Sequence, residues 1–174
     1  VGLVTFDRQV RASVRPSSNP SHLQQLLQVL ESATLVGETA AGPILHDLAS
    51  RMKKRSVVVV LSDLFDDVDA IMAGLKHFHH RRHDVIVFHV LDPAEISFSF
   101  TRPTIFQGLE KMPRVTTDPR SLRRAYVREM DEYLRALKIG CRRIGMDYQQ
   151  LRTDMPLDTA LSGYLAARMT RVRG

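Results

Sequence analysis

The sequence predicts an α/β domain built on a mostly parallel sheet flanked by helices. Two short apolar runs and the segment between them carry that prediction. Val57 to Leu61 is a continuous β-branched stretch ending at Ser62-Asp63, and the DVIVFHVLDP segment repeats the pattern and closes on Asp92-Pro93. Runs this short and this apolar read as strands covered on both faces, as a parallel sheet requires. Between them Val68, Ile71, Met72, Leu75 and Phe78 recur at helical spacing. Strand, helix and strand at this distance make a βαβ unit with a right-handed crossover.

The remaining elements follow in order. VGLVTFDRQVRASVRP places two β-rich arms around Asp7, Arg8 and Gln9, the composition of a hairpin. Its second arm alternates Val10, Ala12 and Val14 with Arg11, Ser13 and Arg15, which describes a half-exposed edge strand. Ser21 and Gln24 have the spacing of a capping box ahead of Leu23, Leu26, Leu27 and Leu30, an amphipathic helix. A loop, LVGETAAG, leads to a second helix with Pro43 near its first turn and Ile44, Leu45, Leu48, Ala49 and Met52 on one stripe. Ala94 to Thr117 scatters Phe98, Phe100, Ile105 and Phe106 among Pro and Gly, so short strands or loops are expected there. Asp118 and Pro119 open a long helix carrying Leu122, Tyr126, Met130, Tyr133, Leu134 and Leu137, with a stop expected near Gly140. MDYQQLRTD alternates as a strand, and Pro156 to Met169 forms the last helix.

Length and composition narrow the class. The 174 residues suit one domain, 1–174, large enough to bury roughly two-thirds of its unfolded surface. Hydrophobic residues make up 44%, which argues against disorder, yet no apolar run approaches the ~20 residues of a membrane helix. Cys141 is the single cysteine, so neither an intrachain disulfide nor a multi-cysteine zinc site can form. No charged start with an apolar middle opens the chain, and a cytoplasmic location is the expectation. Lys plus Arg outnumber Asp plus Glu by 25 to 19, but the basic residues are spread through RMKKR, HHRRH, Arg120 to Arg128 and the Arg171, Arg173 tail without interleaved aromatics. Nucleic acid is therefore not the expected partner. Val1, Leu3 and Val4 begin in the middle of an apolar strand, so a preceding portion is expected.

Ligands of open α/β sheets sit beyond the carboxyl ends of the strands, which here directs attention to Ser62, Asp63, Asp66, Asp67 and Asp69. Carboxylates gathered there could hold a hard cation such as Mg²⁺, with Thr39 of the GETAAG loop adding a hydroxyl. The same aspartates equally suit capping of the following helix. Two other groups have both a chemical and an ordinary reading. His79 and His83 in KHFHHRRH are one helical turn apart and could chelate a metal, or form a solvated helix end. Cys141, expected just past a helix stop and beside Arg142 and Arg143, could be a reactive thiol or a buried filler. No Gly-rich phosphate loop, Gly-x-Ser-x-Gly elbow or His-Glu-x-x-His pair is present.

Taken together, GLVTF, GETAAG, VVVVLSD, VIVFHVLDPAEISF and the long run from YVREMDEYLRALKIG through CRRIGMDYQQLRTDMPLDTALSGYLAARM resemble the carboxyl-terminal half of the family called domain of unknown function 58. Its members carry a von Willebrand factor type A domain. The resemblance implies a Rossmann-like sheet flanked by helices, with residues 94–174 as a family-specific extension. It also implies a metal-ion-dependent adhesion site, in which Thr39 and Asp63 match a threonine and a second-loop aspartate of the family. The family's leading Asp-x-Ser-x-Ser motif, which follows the central first strand, is not found in this sequence. Thr39 and Asp63 alone make a partial, weak site for Mg²⁺, since hard cations take about six oxygen ligands.

The function expected from this resemblance is a non-enzymatic protein-interaction module, with Ser62, Asp66 and Asp67 at the partner-binding rim. The family's usual genomic neighbour, a MoxR-type AAA+ ATPase, is the implied partner in complex assembly or chaperone-like work. The alternative is a Mg²⁺-dependent phosphoesterase in which Asp63, Asp66 and Asp67 activate water, although no general base, nucleophile or phosphate cradle is evident. Without the central strand, residues 1–6 and 57–61 would each present an open edge. They would then pair with each other or with a second copy, and a homo-oligomer is the favoured expectation.

Overall fold

The computed structural model describes residues 1–34, 39–100, 102, 104–106, 115–117 and 119–172. A mixed α/β fold is built around three parallel strands, β3 (Val57–Ser62), β4 (Asp84–Leu91) and β7 (Asp147–Arg152), in the order β3-β4-β7. Register runs from Val57 opposite Asp84 to Ser62 opposite His89, and from Ile86 opposite Asp147 to Leu91 opposite Arg152. Helix α3 (Val68–His80) crosses from β3 to β4, and α5 (Pro119–Arg143) precedes β7. The predicted βαβ unit is present, and β4 is buried nearly throughout.

One face of the sheet carries the main core. Val60, Val85 and Val87 meet Leu45 and Ala49 of α2 (Ala41–Arg51), Ile71, Leu75 and Phe78 of α3, and Leu137 and Cys141 of α5. The opposite face is covered by α6 (Leu157–Val172), whose Tyr164 packs on Ile86, Phe88 and Leu151. Arg168 fastens the far end of that helix to Asp84 and Asp147.

The hairpin β1 (Leu3–Phe6) and β2 (Val10–Val14) is antiparallel and turns through Asp7, whose carboxylate accepts from the Gln9 N–H at 3.0 Å. Phe6 leans on the main core, yet no ladder joins the hairpin to β3. The expected closure of residues 1–6 on 57–61 therefore does not occur. Nor is β3 covered on both faces: Val57, Val59 and Leu61 are 62%, 49% and 65% exposed. The cause is geometric. Helix α6 lies over β4 and β7, and among the described residues no strand pairs with the outer edge of β3.

Local departures from the sequence reading also have identifiable causes. Helix α1 (His22–Glu31) forms, but Ser21 makes no side-chain cap; Asn19 Oδ1 accepts from both its N–H and its hydroxyl. Of the stripe of leucines in α1 only Leu26 is buried, while Leu23, Leu27 and Leu30 are exposed. Ala41 and Gly42, read as loop, already belong to α2. The weak segment after Ala94 opens with a short helix, α4 (Pro93–Ser97), held by a complete capping box between Asp92 and Glu95, and then carries β5 (Thr104–Phe106) and β6 (Val115–Thr117). Asp118, expected to cap α5, lies outside the described residues. Gly140 does not stop α5. The helix runs on to Arg143, and the left-handed turn comes at Gly145 with φ +69°.

Candidate docking rim at the carboxyl ends of the strands

The turn leaving β3 is fixed from several directions. Leu64 adopts a left-handed conformation, φ 50°, and its side chain is buried in the main core. Its N–H donates to Ser62 Oγ at 3.0 Å, and the Phe65 N–H donates to Asp63 Oδ1 at 3.3 Å. From below, Nε2 of fully buried His89 donates to the Asp63 carbonyl at 2.6 Å. The Tyr148 hydroxyl donates to Nδ1 of the same ring at 2.6 Å, which leaves His89 neutral with both nitrogens satisfied. Burial lowers the His89 pKa, against the smaller raising effect of Asp63. From α5, the Tyr133 hydroxyl donates to the Leu64 carbonyl and lies 3.3 Å from that of Asp66. Burial, reinforced by the charges of Asp63, Asp66 and Asp67, raises the Tyr133 pKa and keeps it a donor.

The carboxylates on this turn are mostly committed to backbone groups. Asp67 is the N-cap of α3, accepting from the Ala70 N–H at 2.9 Å, and Asp69 sits in that helix's first turn. Asp66 accepts from the Asp67 N–H at 2.7 Å and, with its other oxygen, from the Gly42 N–H at 3.1 Å. That second bond brings the start of α2, three residues after half-buried Thr39, to the turn. Among the described residues no three His, Cys, Asp or Glu side chains gather as a cation site needs. The donor set of Thr39 and Asp63 thus fits a resident Mg²⁺ poorly, and no chemistry is assigned to one. What the rim does offer is shape. Phe65 projects from the braced turn with 69% of its surface exposed, four residues after Leu61 in β3.

The neighbouring strand ends are tied together by Thr153, whose hydroxyl lies 3.0 Å from Asp92 Oδ2. Neither His89 nor Tyr148 belongs to a recognisable motif, and Tyr133 reads only as part of the apolar face of its helix. The available signal was a histidine inside the apolar run VIVFHVL, because a buried polar ring needs partners.

Two other candidates are resolved differently. Cys141 is buried inside α5 and its thiol pKa is pushed up to about 11, opposite to what a reactive thiol needs. His79 and His83 do not share a helical turn, because α3 ends at His80 and Arg82 takes up φ 62°; the His83 Nδ1 accepts from the Ser56 N–H at 3.2 Å.

These features define a class: an α/β domain with a three-stranded parallel sheet between helical layers. The sequence profile of the family described as protein of unknown function DUF58 matches residues 1–134, and the chain belongs to that family. Among solved structures, the chain is similar to one titled crystal structure of conserved hypothetical protein BatB from Bacteroides thetaiotaomicron, at 14% identity and a TM-score of 0.46, over 99% of this chain and 79% of that one. No curated protein matches. Among the described residues no helix is long and apolar enough to cross a membrane.

Proposed function

We propose that this domain is a non-enzymatic protein-interaction module of the von Willebrand factor A type, in a Rossmann-like arrangement, and that it docks a MoxR-type AAA+ ATPase. One observation carries the docking role: the unpaired edge of β3, with Val57, Val59 and Leu61 exposed, runs directly into the braced turn that presents Phe65. Exposed strand edges template pairing with another chain, and a rigid aromatic beside one is a suitable anchor. The choice of partner rests on the family resemblance.

The test is co-purification with a MoxR-type ATPase from the same organism. Complex formation that is lost in Phe65→Ser and in Val59→Lys supports the reading. A stable complex unaffected by either substitution contradicts the assigned surface. Phosphatase and nuclease assays with Mg²⁺ or Mn²⁺ address the other class of function: turnover abolished by Asp63→Ala would replace the interaction module with a metal-assisted enzyme.

A further inference from the structure

At the opposite, amino-terminal end of the parallel strands lies a cleft of about 550 Å³, with Arg55, His79, His80, Arg82, His83 and Asp84 among its walls. Its size is that of a small-molecule site. Its charge is one-sided. Arg55 and Arg82 are exposed and form no ion pair among the described residues, whereas the one lining carboxylate, Asp84, is already held by Arg168. The carbonyl end of α3 also faces this region, where the His79 and Phe78 carbonyls already accept from the N–H groups of Arg82 and His83 at 2.8 and 3.1 Å, so an anion here depends on the two guanidinium charges outweighing the helix dipole.

His83 supplies the second observation. It is only 7% exposed, and its Nδ1 accepts from the Ser56 N–H, so the neutral ring carries its proton on Nε2. That Nε2 is buried without a hydrogen-bond partner. An orphaned buried donor on the wall of a cationic cleft calls for an acceptor. Arg82 points the same way: it occupies the left-handed position that closes α3, where glycine fits without strain.

From this geometry we infer that the cleft binds a small phosphate-bearing molecule, its phosphate oxygens taken by Arg55 and Arg82 against His83 and the remaining volume filled by an organic body. The site is separate from the docking rim and independent of that role.

Titration with inorganic phosphate and, separately, with AMP, followed by the ring-proton signals of the histidines at constant ionic strength, tests it. Saturable shifts at His79, His80 and His83, with AMP binding more tightly, are expected. Arg82→Gly should melt no lower than the parent, since glycine relieves the left-handed turn, yet bind at least tenfold more weakly. Arg55→Gln should weaken binding without altering the melting temperature. Shifts that do not saturate, that appear equally at His22, which does not line the cleft, or that persist unchanged in both variants would overturn the site. AMP binding no tighter than phosphate would overturn the organic body.

Discussion

His89 holds the turn after β3 from inside the sheet, since one imidazole joins the Asp63 carbonyl to the Tyr148 hydroxyl. Replacing it with phenylalanine keeps a flat ring, somewhat larger, but leaves both partners unpaired, an expected loss of at least about 1–3 kcal/mol in denaturant unfolding, to which overpacking adds. Its depressed pKa also sets a direction with pH. In the unfolded chain the ring takes a proton as pH falls below about 6.5, whereas the folded ring resists until a lower value. Stability is therefore fully present above pH 6.5 and declines as pH drops through the folded pKa. His83, lowered by burial and by Arg81, adds to the same slope. Unfolding of the parent and of His89→Phe between pH 7.5 and 5 should show a shallower decline in the variant. An identical slope would mean that His89 does not stay neutral in the fold. The aspartates were legible as helix-capping residues because the Asp67-to-Ala70 relation is local. The bonds of His89 and Tyr133 span 26 and 69 positions, and no periodicity encodes them.

At the level of elements, glycines explain both the packing and one misread boundary. A Cβ on Gly42 would come within 2.7 Å of the Ala70 backbone, and one on Gly74 within 2.7 Å of the Gly42 carbonyl, so α2 and α3 approach only because both positions lack side chains. Gly140 does the same for α5, where a Cβ would meet Met72 Sδ at 2.7 Å. A glycine near a helix end reads as a stop; here tertiary contact keeps it inside the helix. Gly42→Ala and Gly74→Ala should destabilise by about 1–3 kcal/mol through overpacking, exceeding the ~1 kcal/mol gained in helix propensity. Gly140→Ala should cost less, because the methionine tip can move. Gly163→Ala in α6, with open space around it, should stabilise by up to about 1 kcal/mol. Thermal unfolding of the four variants gives that ranking, and a neutral Gly42→Ala would contradict the close α2–α3 contact. The periodic helices and the parallel strands were readable because burial imposes their patterns. The capping box of α4 was also written in the sequence, as Asp92-Pro93-Ala94-Glu95, but the aromatic scatter that follows obscured it.

The whole molecule carries its apolar surface unevenly. Val57, Val59 and Leu61 read as interior residues and yet face outward, and Leu23, Leu27 and Leu30 of α1 do the same. Composition shows that such residues want cover; it does not show which chain supplies it. In isolation the β3 edge should drive self-association, so light scattering across a concentration series should show mass rising above 19.7 kDa, with Val59→Lys holding the monomer. A monomer at every concentration would reject pairing between copies. The docking role itself is tested most directly by titrating isotope-labelled domain with the MoxR-type ATPase and mapping which backbone amides respond. Perturbation and new exchange protection concentrated in Val57–Ser62 and the turn through Asp67 is the expected result. Binding that leaves those amides unchanged, or no binding at all, would contradict it.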